Sequence, residues 1–297
     1  METLHQLTTE SHNPNSIQLD RLSALQIATL MNQEDSLVPA AVQRELGPIA
    51  QAIQWIAEAF RNGGRLLYIG AGTSGRLGVL DAAECPPTFS SQPSMVVGII
   101  AGGSAALTTA IEGAEDDANQ AELDLKQRNL SSGDVLVGIA TSGRTPYVIG
   151  GLDYARQIGA RTIGLSCNAN SDLHQHADLM ITPVVGPEVL SGSTRLKAGT
   201  ATKLVLNMLT TGAMVLIGKT YGNRMVDLRT TNQKLRMRSQ RMVSELTGLD
   251  APQAAKMLQQ CSGEVKTAIV ASIRNVSADE ARQLLQAANG QLRGALE

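Results

Sequence analysis

Five short apolar runs, separated by helical patterns, most constrain how this chain can fold. Each run is apolar throughout rather than alternating with polar residues, which is typical of strands buried on both faces of a sheet. The runs cover Leu66–Ile69, Met95–Ile100, Val135–Ala140, Thr162–Ser166 and Leu179–Val184. Strands that alternate with helices form parallel sheets with right-handed crossovers. The sequence therefore predicts an α/β fold with a five-stranded parallel sheet covered by helices.

Apolar residues at helical spacing predict the elements between and around these strands. The predicted helices cover residues 21–31, 38–60, 75–84, 104–129, 146–158, 172–177 and 193–219. The helix that reaches Glu84 should end there, because Pro86 and Pro87 lack the N–H groups that would continue it. Residues 1–20 are polar and poorly periodic, and they are predicted to form an extended arm that packs on a partner subunit.

The chain of 297 residues is long enough for one large and one small domain. We predict an N-terminal arm with helices that pack on the core (1–60), a ligand-binding α/β domain (61–222) and a small C-terminal helical domain (223–297). The last begins with a basic helix over 225–246, whose charges are better explained by solvent or an anionic ligand than by nucleic acid.

Charge and composition narrow the classes of partner. A net charge of −2 and an aromatic content of 2% argue against a nucleic-acid-binding surface. The sequence predicts no secretory leader and no membrane span. The cysteines (Cys85, Cys167 and Cys261) are odd in number and far apart, which is typical of a reduced compartment. We therefore expect a cytoplasmic protein without nucleic-acid or membrane partners.

The loop after the first strand predicts an anion site. It turns through Gly70 and Gly72 into a helix, whose free N–H groups and dipole attract negative charge. Together with Gly75 these glycines match the dinucleotide pattern G-x-G-x-x-G, but the next strand ends without the acid that holds a ribose. The hydroxyls of Thr73 and Ser74 suit a compact phosphate monoester better.

A second loop of the same kind follows the third strand. Its residues Thr141, Ser142, Gly143 and Thr145 precede Pro146, which starts a helix. Ordinary helix capping by Ser and Thr would also explain each loop. Two such loops at one sheet edge favour a shared phosphate site. A third Ser/Thr-rich segment, 186–197, either completes a polar pocket or supplies caps and surface charges.

Carboxylates are the candidates for acid–base chemistry, since the chain has only 4 histidines. Glu84 closes the helix that begins in the first loop, and Glu112 and Glu115 follow the second strand. Acids at such positions also serve as helix-dipole partners. His174 and His176 lack the further ligands of a metal set, so we predict neither a metal nor another cofactor.

Four stretches together resemble the N-acetylmuramic acid 6-phosphate etherases: 70–78, 81–87, 140–147 and 186–200. The resemblance spans nearly the whole chain. It implies a three-layer αβα sugar isomerase (SIS) domain of flavodoxin-like topology at 61–222, and a cytoplasmic homodimer. The implied reaction converts N-acetylmuramic acid 6-phosphate and water to N-acetylglucosamine 6-phosphate and D-lactate.

The resemblance also implies roles for individual residues. Glu84 would protonate the leaving lactyl oxygen, and Glu115 would remove the C2 proton. The implied substrate- and phosphate-binding residues are Gly72, Thr73, Ser74, Glu112, Thr141, Ser142, Gly143, Thr145, Ser193 and Lys197. Two alternatives share the fold: a phosphosugar isomerase, and a non-catalytic phosphosugar sensor similar to the glucokinase regulatory protein.

Overall fold

The predicted parallel sheet is present in the computed structural model, which describes residues 8–227 and 233–297. Its five strands are β1 (Leu66–Gly70), β2 (Val96–Ile100), β3 (Val135–Ile139), β4 (Arg161–Leu165) and β5 (Leu179–Ile181). They lie in the order β2-β1-β3-β4-β5, and every pair is parallel. The predicted α/β fold class is confirmed.

The register brings the carboxyl ends of the central strands level. Gly70, the last residue of β1, pairs with Ile100 of β2 on one side and with Ile139 of β3 on the other. The loops that follow these strands therefore leave the same edge of the sheet, with neighbouring strands about 4.8 Å apart. The strand order reverses at β1, and parallel sheets bind ligands at such a reversal.

Helices account for most of the remaining described chain. They are α1 (Ala24–Asp35), α2 (Val38–Gln43), α3 (Leu46–Arg61), α4 (Gly72–Phe89), α5 (Ala118–Gln127), α6 (Pro146–Gln157), α7 (Lys197–Leu216), α8 (Gln233–Thr247), α9 (Ala251–Gln260), α10 (Val265–Arg274), α11 (Ala278–Ala287) and α12 (Leu292–Leu296). Short 3-10 turns lie at Thr8–Glu10, Pro14–Ser16, Leu19–Arg21, Ser104–Leu107, Ala114–Asp116 and Asp172–Gln175. None of the described helices combines the length and apolarity needed to cross a membrane.

Helices cover both faces of the sheet. Tyr68 points to the face covered by α4, where a Cβ built at Gly78 would lie 2.9 Å from the Tyr68 Cβ. Gly138 points to the opposite face, where its own Cβ would lie 2.8 Å from Cγ1 of Val148 in α6. Glycine at these two positions lets helix and strand approach closely. The result is the three-layer arrangement expected from the sequence.

The prediction that α4 ends at Glu84 is wrong. The helix continues through Pro86 and Pro87 to Phe89. Both prolines lie in its last turn, and their fixed φ is compatible with a helix. Each proline removes one hydrogen bond and crowds the carbonyl group four residues earlier, which weakens this last turn without ending the helix at Glu84.

The prediction of one helix over 104–129 is also wrong. Gly113 has a left-handed φ of 75°, and Asp117 caps α5 by accepting the N–H groups of Asn119 and Gln120 at 3.0 and 3.1 Å. The chain between β2 and Asp117 is therefore irregular apart from its 3-10 turns. This irregular segment carries Glu112 and Glu115.

Two further predictions differ in detail. The helix predicted over 38–60 is divided into α2 and α3, and Pro48 in the first turn of α3 lacks the N–H that would bond back to Arg44. The described part of the arm predicted to be extended consists largely of 3-10 turns. Arm residues 1–7, and residues 228–232 of the predicted basic helix, lie outside the described residues.

The chain divides into two compact units. The first runs to Ala83 and continues over Pro93–Thr210, and the second comprises Glu84–Gln92 and the chain from Thr211. The second contains a hairpin of β6 (Thr220–Tyr221) and β7 (Arg224–Met225) and an apolar core of its own. The domain boundaries at 60 and 222 stay predictions.

Candidate functional site

A cleft at the carboxyl edge of the sheet lies between the loop after β1 and the segment after β2. Its volume is about 220 Å³. Gly72 and Arg76 of α4 line one part of it, and Glu112 and Glu115 line another. The cleft thus joins a helix N-terminus, which attracts anions, to two carboxylates, which can exchange protons.

The turn from β1 into α4 is tight because of its glycines. A Cβ at Gly75 would lie 2.6 Å from the carbonyl oxygen of Gly70. Gly72, the first residue of α4, has a left-handed φ of 53°. Thr73 and Ser74 follow in the first helical turn, where N–H groups lack partners within the helix. Free backbone N–H groups and the positive end of the helix dipole therefore lie at one point, which attracts anions.

Arg76 anchors the irregular segment that carries the cleft carboxylates. Its Nε donates to the carbonyl oxygen of Leu107 at 3.1 Å, and a terminal nitrogen donates to that of Thr109 at 3.4 Å. Sequence reasoning missed this role, because the two partners lie 31 and 33 residues further along the chain. The sequence signal available was an arginine directly after the glycine turn.

The acidic residues after β2 differ in their contacts: one caps a helix, and two line the cleft. Asp117 is used as the cap of α5. Glu115 lies on the 3-10 turn before it, and Glu112 lies on the other side of Gly113. Both glutamates are exposed and line the cleft. A helix-dipole role thus accounts for Asp117 but leaves Glu112 and Glu115 available to a ligand.

The second predicted loop follows β3, next to the first. Gly143 has a φ of 74°, and a Cβ there would lie 2.2 Å from Cβ of Ser171, so the loop requires glycine. Ser142 Oγ accepts the N–H of Arg144 at 3.3 Å. Thr145 occupies the N-cap position of α6, but its side chain makes no capping hydrogen bond. Simple capping therefore does not explain this threonine.

The third predicted segment is organised around two buried carboxylates. Glu188 accepts the N–H groups of Lys197 and Ala198 at 3.0 and 2.9 Å and so caps α7, and burial raises its pKa. The Lys197 ammonium donates to Glu34 Oε2 at 2.6 Å, with both side chains buried. Burial alone would raise the pKa of Glu34, but hydrogen bonds from Lys197 and Asn15 outweigh it and lower the pKa.

The third segment lies beside the first loop. A Cβ at Gly199 would lie 3.5 Å from the Thr194 carbonyl oxygen and 3.7 Å from Cγ2 of Thr73. Ser193 is part of the turn that precedes α7, where its N–H donates to the carbonyl oxygen of Leu190 at 3.0 Å. Thr73 of the first loop is therefore close to the start of α7.

Glu84 occupies an exposed position on α4 and belongs to the second unit. One turn earlier, Asp81 is buried, and its carboxylate accepts the Tyr68 hydroxyl at 2.9 Å, the Asn207 amide at 2.7 Å and the Thr210 hydroxyl at 3.2 Å. Burial raises the pKa of Asp81 despite these bonds. Asp81 thus joins α4 to β1 and α7, a role that the sequence alone did not indicate.

The histidines that were considered as metal ligands have other partners. His174 Nδ1 lies 3.3 Å from Ser171 Oγ, and His176 Nδ1 lies 2.6 Å from Asp153 Oδ1. Within the described ranges, no three His, Cys, Asp or Glu side chains are grouped so that they could hold a metal ion.

Comparison with known proteins places these features in a family context. The model of the glucokinase regulatory protein N-terminal SIS domain matches residues 48–156, and the SIS domain model matches residues 118–243. An N-acetylmuramic acid 6-phosphate etherase from Rhodopirellula baltica is 65% identical over 98% of this chain and 97% of its own length. One from Brucella anthropi is 56% identical over 100% of this chain and 96% of its own.

A solved structure supports the fold. The chain resembles a phosphoheptose isomerase from Francisella tularensis with a TM-score of 0.52 and 18% identity, over 65% of this chain and 100% of that one. At this identity the likeness concerns the fold alone.

Proposed function

This chain belongs to the N-acetylmuramic acid 6-phosphate etherase family, and from that premise we propose how its residues carry out the reaction. The protein is a carbon–oxygen lyase. It cleaves the D-lactyl ether of N-acetylmuramic acid 6-phosphate to give N-acetylglucosamine 6-phosphate and D-lactate, in the recycling and catabolism of cell-wall sugars. Identity over nearly the full chain to enzymes of this name disfavours the isomerase and sensor alternatives.

The chemistry needs an acid and a base rather than a direct attack on the ether. In the open-chain aldehyde, C2–H lies α to the carbonyl and the C3 oxygen lies β to it. A base removes the C2 proton, and the C3–O bond breaks while an acid protonates the departing lactate oxygen. Water then adds at C3 and a proton returns to C2. The base must be ionised and the acid protonated at the same pH, so the two groups need different environments.

We assign the base to Glu115 and the acid to Glu84. One cleft contains both the N-terminus of α4 and Glu115, and this observation carries the proposal. The 6-phosphate and C2 belong to one small sugar, so the phosphate site and the base must lie within the length of that molecule. The assignment of Glu84 rests on its place in stretch 81–87, one of the four stretches that resemble the etherases. Glu112 is proposed to contact the sugar from the same cleft.

The phosphate is proposed to bind to the loops after β1 and β3, through Gly72, Thr73 and Ser74 and through Thr141, Ser142, Gly143 and Thr145. Their adjacent strands and the tight turn at Gly72 support this. Ser193 and Lys197 are proposed to contribute from the third segment, in the case of Lys197 by fixing the start of α7. We further propose a cytoplasmic homodimer without cofactors and without nucleic-acid or membrane partners.

One incubation tests the function. The purified protein with N-acetylmuramic acid 6-phosphate should release D-lactate and N-acetylglucosamine 6-phosphate in equal amounts. A ketose product without lactate would indicate the isomerase, and binding without turnover would indicate the sensor.

Two variants test the assignment of roles. Glu115→Gln should abolish both lactate release and exchange of the C2 proton with deuterated solvent. Glu84→Gln should slow lactate release by roughly 10²–10⁴-fold but retain C2 exchange, because the base remains. Exchange that survives in Glu115→Gln and disappears in Glu84→Gln would reverse the two roles.

A further inference from the structure

The proposed phosphate loop after β3 is held from one side by the segment after β4. The Thr141 carbonyl oxygen accepts the N–H of Cys167 at 2.9 Å, and the Gly143 carbonyl oxygen accepts the N–H of Leu173 at 3.1 Å. These backbone bonds orient the carbonyl groups of the loop towards the segment 167–173.

A single buried amide, that of Asn168, joins this loop to the N-terminal arm. Asn168 is 1% exposed. Its Nδ2 lies 3.0 Å from the carbonyl oxygen of Thr141, 3.4 Å from that of Ser142 and 3.0 Å from Oγ1 of Thr9. Its Oδ1 accepts the N–H of Thr9 at 3.3 Å. Thr9 is completely buried. The arm and the loop are therefore bound to the same side chain.

The orientation of the carbonyl groups matters for an anion. Carbonyl oxygens carry partial negative charge and repel a phosphate, whereas N–H groups attract it. In this loop the N–H of Gly143 donates to the carbonyl oxygen of Ala140 at 2.8 Å and that of Arg144 donates to Ser142 Oγ at 3.3 Å. Holding the loop carbonyls on the side of the segment 167–173 therefore reduces their repulsion of a phosphate bound by the loop hydroxyls. Asn168 thus favours the loop conformation that a phosphate needs.

The arm continues from Thr9 to the third segment. His12 Nδ1 lies 3.2 Å from Ser191 Oγ, and Asn13 Nδ2 donates to the carbonyl oxygen of Pro187 at 3.2 Å. Within five residues, the arm therefore contacts Asn168, which holds the loop after β3, and also the third predicted segment, 186–197.

We propose that the arm residue Thr9, acting through Asn168, positions the loop 141–145 for phosphate binding. This role rests on the proposed binding of phosphate by that loop. Thr9 and Asn168 are positioning residues: they set the affinity for the 6-phosphate and take no part in proton transfer.

Thr9→Val tests the proposal with little change of volume. The variant loses the hydroxyl that accepts from Asn168, and we expect its Kd for N-acetylglucosamine 6-phosphate to rise about five- to ten-fold in calorimetry, as for one lost hydrogen bond. Affinity for unphosphorylated N-acetylglucosamine and the kcat should stay within about two-fold, and Thr9→Ser should restore binding. Asn168→Asp, which places a carboxylate against the loop carbonyls, should weaken phosphosugar binding further.

Thr8→Val is the matched control, one position earlier in the arm, and should bind as the unchanged protein does. Ser142→Ala tests the proposed phosphate loop itself, independently of Thr9. If Ser142→Ala weakens phosphosugar binding and Thr9→Val does not, the positioning role is wrong and the phosphate loop stands. If Ser142→Ala and Thr9→Val both leave binding unchanged, the phosphate assignment and the positioning role are both wrong. An equal loss for both sugars in Thr9→Val would show general damage and would also overturn the proposal.

Discussion

Two buried carboxylates of this protein, Glu34 and Asp81, have pKa values shifted in opposite directions. Burial raises the pKa of each, since it disfavours the charged form. Glu34 is bonded to the Lys197 ammonium, and the net effect is a lowered pKa. Asp81 is bonded to neutral donors, namely Asn207, Tyr68 and Thr210, and its pKa stays raised. For Glu34 the hydrogen bonds from the Lys197 ammonium and from asparagine amides outweigh desolvation, whereas for Asp81 desolvation outweighs its hydrogen bonds and the charge of Lys203.

Lys197→Met should destabilise the protein strongly. It leaves the buried Glu34 carboxylate without an opposite charge and with neutral donors such as Asn15, which costs about 3–5 kcal/mol of unfolding free energy. Combining it with Glu34→Gln removes both charges and should recover part of that loss. Urea unfolding of the single and double variants measures the difference. Unchanged stability in Lys197→Met, together with weak substrate binding, would instead mean that Lys197 binds the substrate directly.

The same pair predicts a pH dependence. The folded pKa of Glu34 is below its ordinary value of 4.5, so the ion pair contributes stability above that pH. This contribution is lost as the pH falls through the lowered folded pKa. Urea unfolding between pH 7 and pH 3 should therefore show a smaller acid-side loss of stability in Glu34→Gln than in the unchanged protein. Equal slopes would contradict the role of Glu34.

At the scale of a loop, Gly143→Ala should disrupt the turn after β3. The added Cβ would lie 2.2 Å from Cβ of Ser171, and the φ of 74° is unfavourable for alanine. We expect a lower melting temperature and weaker phosphosugar binding. Gly47→Ala is the control, because a Cβ at this position in α3 meets nothing within 4 Å, and alanine stabilises a helix by about 0.5–1 kcal/mol over glycine. Comparable losses in both variants would contradict this account.

The elements also show what periodicity can and cannot reveal. Strands buried on both faces are recognisable from continuous apolar runs, and the glycine loops are recognisable from their spacing. The segment 104–117 has helical apolar spacing. The left-handed conformation of Gly113 interrupts the predicted helix, and the helix begins only after the cap at Asp117. The contacts of Arg76 and Asn168 join distant parts of the chain, so local patterns do not contain them.

At the scale of the whole molecule, α1 carries apolar residues that the described part of the chain leaves incompletely covered. Leu25, Ile27, Leu30 and Met31 recur on it at helical spacing, yet Glu34 is its only buried residue. Leu25 is 77% exposed. Ile27, Leu30 and Met31 are only partly buried, and apolar surface left uncovered on one chain is found at protein–protein interfaces. We therefore propose α1 as the contact surface of the proposed homodimer.

Leu25→Glu should weaken that assembly without harming the fold. Because Leu25 is 77% exposed in the single chain, a charge there costs the monomer little, so a change of mass reports on association alone. Sedimentation should give twice 31.3 kDa for the unchanged protein and a shift towards 31.3 kDa for the variant. Leu123→Glu, at a leucine of α5 that is 52% exposed, should keep the dimer mass. A Leu25→Glu protein that remains as dimeric as this control would exclude α1 from the interface, and a monomeric unchanged protein would exclude the dimer itself.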